Sequence, residues 1–305
     1  MTITTMQDDK EAPPNASANV WSRMNLLYMS GIMFTIAVIW RIVDVFILRL
    51  GDTWFNIFPS KLFPVLIIIG IFGVYRRNEF SSVLGLSKDN LRAQLSIGII
   101  IGLAMYIFID VVSNVIFGTF IDFTYSLTFQ LLFADLLWYQ FIFFFTNALL
   151  EETLFRGLIV NGFRTRLTDN QAIFVSAFLF AIWHIVWPLV NGSPISEAIA
   201  MMVFSLIFGA FLGLYYIRFS GGRSLTGIIV AHTLVNFFNE TFRIGPELSV
   251  QGPDLAFASP VLLGLNVLMF MVTMMILFWL VTRYKIEQVG DLVERFKKHI
   301  VSVRE

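Results

Sequence analysis

The stretch Asn147-Ala148-Leu149-Leu150-Glu151-Glu152-Thr153-Leu154-Phe155-Arg156-Gly157 places three ionisable residues inside an apolar run. The run extends over about 138–163, from Trp138 through Phe143, Phe144 and Phe145 to Ile159 and Val160. That is enough residues to cross a bilayer as a helix. A charged side chain at the centre of such a helix costs about 2.5–3.5 kcal/mol on insertion scales, so it needs a partner or a task. Glu152 and Arg156 are four apart, share a helix face and can form an ion pair. Glu151 is turned about 100° from Glu152. It lies on the face of Asn147 and must find its partner on another helix.

The rest of the chain fits a membrane setting. Of 305 residues, 57% are hydrophobic and 14% charged; soluble domains run near 25% charged. Mean hydropathy is +0.77. Formal net charge is zero, which gives no reason to expect a nucleic-acid partner. The absence of cysteine excludes disulfides, thiolate metal sites and a cysteine nucleophile.

Eight apolar stretches are long enough to read as spans: about 22–48, 55–75, 93–118, 138–163, 170–190, 196–218, 223–240 and 260–283. The expected fold is therefore all-α, a multi-spanning membrane bundle of about eight transmembrane helices. Pro59 and Pro64 predict an irregular start to the second. Residues 124–137 either extend the fourth helix or lie along the outer interface. With both termini in the cytoplasm, only Arg49, Lys61 and Arg243 fall outside, and Arg41 falls within the first span. The other basic residues of the 21 lie on the cytoplasmic side, as the positive-inside rule requires. Residues 1–20 read as a disordered cytosolic tail and 21–285 as the bundle. Residues 286–305 read as an amphipathic cytosolic tail, set on the inner leaflet or packed on the bundle's own loops.

The chain has three histidines. His299 sits in the basic tail. His184 closes the apolar run from Phe178, and His232 shares a face with Asn236 four residues on. Glu151 lies about 20 Å from Arg164 at the inner end of its helix, and His184 about 21 Å from Asn170. His232 and Asn236 lie about 14 and 20 Å from Arg223. Three helices thus bring polar groups to a similar depth. Taken singly, a buried His or Asn serves equally well as an interhelical hydrogen bond. Taken together, they predict a shared polar site.

Glu151-Glu152-x-x-x-Arg156, Phe180-x-x-x-His184 and His232-x-x-x-Asn236 stand in this order, each in an apolar span. The pattern resembles the CAAX-protease and bacteriocin-processing (CPBP, or Abi) family of intramembrane proteases, over about residues 75–240. That family is similar in fold to the eukaryotic prenyl-protein endoprotease, an eight-helix bundle. The resemblance implies that Glu151 and His184 activate a water, while His232 and Asn236 stabilise the oxyanion. Glu152 and Arg156 then have supporting roles. The family's metalloprotease label implies an alternative in which Glu151, His184 and His232 bind zinc or another divalent ion. The chain lacks the HExxH helix of zincins, and the metal-free reading is favoured.

The expected function is an intramembrane endopeptidase acting on hydrophobic peptides or membrane-proximal protein tails. The expected partners are the lipid bilayer and such a peptide or protein tail. The expected location is a prokaryotic plasma membrane, which suits a compact chain with no evident targeting segment better than an endoplasmic reticulum does. A non-catalytic immunity or adaptor protein of the same fold is the alternative. A transporter would call for repeated halves, and the sequence shows no repeat.

Overall fold

Lipid offers backbone groups no hydrogen bonds, so a chain within it must close them on itself. The structure, a computed structural model, describes residues 24–49, 57–132, 134–190, 192–246, 259–291 and 295. Helical runs occur at each apolar stretch. They are α1 (Leu26–Leu48), α2 (57–75) and α3 (Leu91–Ile121). Then come α4 (137–164), α5 (Asp169–Val190), α6 (Ile195–Phe219), α7 (Thr226–Thr241) and α8 (Pro260–Arg283). Two strands, β1 (Thr128–Leu131) and β2 (Phe242–Gly245), pair antiparallel.

Among the described residues five helices, α1, α3, α5, α6 and α8, are long and apolar enough to cross a membrane. α4 has the length but carries Glu151, Glu152, Arg156 and Arg164. α7 has 16 residues. The lipid-facing character is clearest on α8, where Val267, Leu268, Met271, Met275, Ile276 and Trp279 are exposed. An outward stripe this apolar would be a liability in water. The chain is a multi-pass membrane protein.

Several boundaries differ from the sequence reading. Residues 128–131 form a strand and do not extend α4. Thr128 pairs with Gly245 and Leu131 with Phe242, and the Leu132 N–H donates to the Thr241 carbonyl. This ladder ties the start of α4 to the end of α7. α7 begins at Thr226 rather than 223, because Ser220, Ser224 and Leu225 fold back into the interior. The Leu225 N–H donates to the Gly85 carbonyl at 2.7 Å, and the Ser220 hydroxyl donates to the Ser224 carbonyl. α2 starts with a π-helical turn, Ile57–Leu62, before regular helix resumes at Phe63. Ile286 is buried and packs with Val289 on the core. The 1–20 tail and most of 286–305 lie outside the described residues.

Two apolar clusters fill the interior. One gathers Met29, Phe72, Leu154, Phe155 and Phe180 from α1, α2, α4 and α5. The other gathers Phe208, Phe211, Tyr215, Ile228 and Met274 from α6, α7 and α8. α3 and α7 approach closely through small residues, the usual device where lipid removes the hydrophobic drive between helices. A Cβ on Gly98 would collide with the Gly227 carbonyl, and one on Gly102 with Leu234. Gly98→Leu should therefore lower the thermal unfolding midpoint of the detergent-solubilised protein, by overpacking worth about 1–3 kcal/mol. Gly31→Ala, inside α1 with nothing near its Cβ, should not lower that midpoint, since alanine is the better helix former.

Candidate active site

The polar centre begins on α4 with the two adjacent acids. Both are buried, as is Arg156. Arg156 Nη1 donates to Glu152 Oε1 at 3.1 Å, the i, i+4 pair expected from spacing. The helix passes into π-type turns from Thr153 to Val160, a departure often found at functional sites. The guanidinium lies over the Phe180 ring, 4.2 Å from its centroid. Gly209 on α6 makes room for it, since a Cβ there would come 3.0 Å from Arg156 Nη2.

Glu152 has a second partner that spacing along the chain does not reveal. His232 Nδ1 lies 2.7 Å from Glu152 Oε1. A carboxylate oxygen accepts, so Nδ1 carries the proton and Nε2 is the free end. His184 is fixed in the same sense: its Nδ1 lies 2.8 Å from the Phe180 carbonyl oxygen, which can only accept. Phe180 and Phe208 pack edge-on against His232, with centroids at 6.0 and 5.4 Å.

Both free Nε2 atoms face one oxygen. Glu151 Oε2 lies 3.8 Å from His184 Nε2 and 3.7 Å from His232 Nε2. These separations are too long for direct hydrogen bonds and suit a group held between them. Among the described residues, Glu151 Oε2 has no hydrogen-bond partner. The other oxygen, Oε1, accepts from Trp183 Nε1 at 3.1 Å. Thus one oxygen is anchored and the other is presented. The Glu151 side chain is almost fully covered, whereas that of His184 is 22% exposed. His184 forms the open edge of the site.

The structure brings Glu151, Glu152, Arg156, His184 and His232 together. Asn236 lies one turn beyond His232, half-buried, and none of the hydrogen bonds among the described residues engages its amide. His232 reaches both acids, at 3.7 Å from Glu151 Oε2 and 2.7 Å from Glu152 Oε1.

Three contributors were given no role from sequence. Trp183 was visible only as part of the apolar run before His184. Arg41 stood out as an ionisable residue in the first span; its guanidinium covers the Trp183 ring at 4.4 Å. Lys61, expected outside, is part of α2 and lies over the Phe143 ring at 5.6 Å. Arg41 and Lys61 are close enough to act electrostatically on Glu151.

The donor chemistry of Glu151, His184 and His232 would suit zinc, but their spacing does not close around one. Ligands about 2.0–2.1 Å from a tetrahedral zinc stand about 3.3 Å apart, closer than the 3.7 and 3.8 Å seen here. Among the described residues no group of three or more His, Cys, Asp or Glu is placed to hold a metal ion.

The same residues can be compared with known proteins. Residues 133–238 match the family described as Type II CAAX prenyl endopeptidase Rce1-like. This is the CPBP family. The match runs from the start of α4 almost to the end of α7 and takes in every motif residue from Glu151 to Asn236. α1, α2, α3 and α8 lie outside it. No curated protein matches the chain. The Rce1-like family is a family of proteases.

The two acids differ in what they hold. Removing one partner of a buried ion pair leaves an uncompensated charge and costs about 3–5 kcal/mol. Arg156→Ala should therefore unfold at a clearly lower temperature than the unsubstituted protein. Glu151→Gln keeps an oxygen to accept from Trp183 and should melt within about 1 kcal/mol of it. Circular dichroism melts in detergent would measure both.

Proposed function

We propose that this protein is an intramembrane endopeptidase in which Glu151, with His184, activates a water for attack on a peptide carbonyl. The observation that carries this reading is the unpartnered Glu151 Oε2, faced at 3.7–3.8 Å by two imidazole nitrogens. A water in that gap can donate to Glu151 Oε2 and to one Nε2, leaving a lone pair for the substrate. The carboxylate takes the water's proton as the oxygen bonds to the carbonyl carbon. It returns that proton to the departing amine nitrogen when the carbon–nitrogen bond breaks.

His232 completes the proposal. Glu152 holds its Nδ1–H, so the ring is oriented, and an imidazolium formed at Nε2 is stabilised by the same carboxylate. A proton drawn from bulk water onto that Nε2 as substrate binds supplies the Nε2–H that, with the Asn236 amide one turn along, is assigned to the oxyanion. Donors fixed in a water-poor site stabilise developing charge far better than they would in bulk water. Arg156 neutralises Glu152. Trp183 fixes the rotamer of Glu151, and Arg41 stacks behind Trp183. The substrates are hydrophobic peptides or membrane-proximal protein tails that enter past the exposed edge of His184. A prokaryotic plasma membrane, eight spans and cytoplasmic termini complete the proposed setting.

Glu151→Gln should reduce cleavage by about 10²–10⁴-fold, the usual contribution of a general base, with expression and membrane insertion retained. Trp183→Phe should reduce it by roughly tenfold, since the base keeps its chemistry and loses one hydrogen bond, worth about 1 kcal/mol or more. Comparative proteomics of membrane-proximal peptides, in cells carrying the unsubstituted protein or Glu151→Ala, measures the activity without knowledge of the substrate. Cleaved products should disappear in the variant. Identical peptide profiles, with a cellular phenotype that survives the substitution, would instead establish a binding or immunity role.

A further inference from the structure

Away from the active site, a cavity of about 620 Å³ opens between the ends of α5, α6 and α8. Arg218, Arg223, Arg283 and Lys285 line it, with Asp169 and Glu287 as its acids. These charges are not mutually matched. Asp169 is held by Arg164 at 2.8 Å, and Arg223 shares Asp89 at 4.0 Å. Among the described residues, Arg218, Arg283 and Lys285 take part in no ion pair; Arg218 donates to the neutral Asn170 amide. Three cations thus face Glu287. The C-terminus of α8 adds only about half a negative charge. The cavity therefore favours an anion.

Its level in the bundle indicates which anion. Arg283 ends α8, a helix apolar enough to span. Trp279 and Tyr284 are both exposed beside it and pack edge-on at 5.9 Å. Amphipathic aromatic rings of this kind mark the headgroup level of a bilayer. The wall also contains the apolar Ile217 and Phe219. Ile286, buried on the core next to Lys285, fixes the segment that carries Arg283 and Lys285.

We propose that this cavity binds the phosphate-ester headgroup of an anionic phospholipid. Basic pockets between helices at this level are a recurrent means of holding such headgroups. The cavity volume falls within the roughly 300–1,000 Å³ range of ligand sites. Its ligand is distinct from the peptide substrate, and the proposal stands whether or not the Glu151 site is catalytic.

The test is thermal unfolding of the full-length protein in detergent micelles, titrated with phosphatidylglycerol or with phosphatidylcholine. Phosphatidylglycerol should raise the midpoint saturably, and phosphatidylcholine should not. The triple variant R218Q/R283Q/K285Q should need at least about tenfold more phosphatidylglycerol for half the effect, equivalent to 1.4 kcal/mol. The control R77Q/R92Q/R166Q removes three exposed cations outside the cavity and should respond as the unsubstituted protein does. A glycerol-phosphate arm separates the sources. An equal shift at equal concentration would identify a free phosphate ester as the ligand and overturn the lipid assignment. Equal stabilisation by phosphatidylcholine, an unchanged triple variant, or equal loss in the control would also overturn the proposal.

Discussion

A charge buried among lipid-embedded helices must be matched where it lies, and Glu152 is where this chain matches its own. One oxygen of that carboxylate receives both Arg156 from its own helix and His232 from α7. The first contact is local and comes almost automatically from spacing. The second joins two helices across the bundle and sets the ring of His232. Around this pair the packing is closed by Phe180, which lies beneath the guanidinium and beside both imidazoles. An apolar side chain thus shapes the polar centre as much as the charged ones do.

The neighbouring acid uses that frame. Glu151 differs from Glu152 by about 100° of helical rotation, and this difference separates their roles. Glu152 gives one oxygen to Arg156 and His232, and its other oxygen meets no hydrogen-bond partner among the described residues. Glu151 is anchored by Trp183 through one oxygen and offers the other to two imidazoles whose tautomers are set from behind. In the proposed reaction, preorganisation of this kind places the Glu151 oxygen without requiring the side chains to move. The β1–β2 ladder, which ties the start of α4 to the end of α7, helps keep the two contributing helices in register.

Much of this was legible in the sequence, for physical reasons that differ from residue to residue. The helices could be read because lipid forces long apolar runs. The Glu152–Arg156 pair could be read because helical spacing is fixed, and the need for Glu151 to look elsewhere followed from the same geometry. What could not be read depends on where helices begin and on how far side chains reach. α7 starts three residues later than expected because the Ser220–Leu225 segment turns inward, and His232 of that helix reaches both acids. Trp183 and His184 are adjacent in sequence, yet one meets each oxygen of Glu151, because the long indole reaches where a smaller ring would not. The four-residue strands Thr128–Leu131 and Phe242–Gly245 were too short to signal themselves.

The central claim is that Glu151, His184 and His232 meet at one point with both Nε2 atoms turned toward the carboxylate. Nitrogen-15 NMR of histidine-labelled protein in lipid bilayers tests it directly, since the chain has only three histidines. The account predicts protonated Nδ1 and free Nε2 signals for His184 and His232. Both Nε2 signals should shift in Glu151→Gln, and His232 Nδ1 should shift in Glu152→Gln. If neither Nε2 signal responds to Glu151→Gln, the carboxylate is not where the account requires it, and the proposed catalytic centre does not exist.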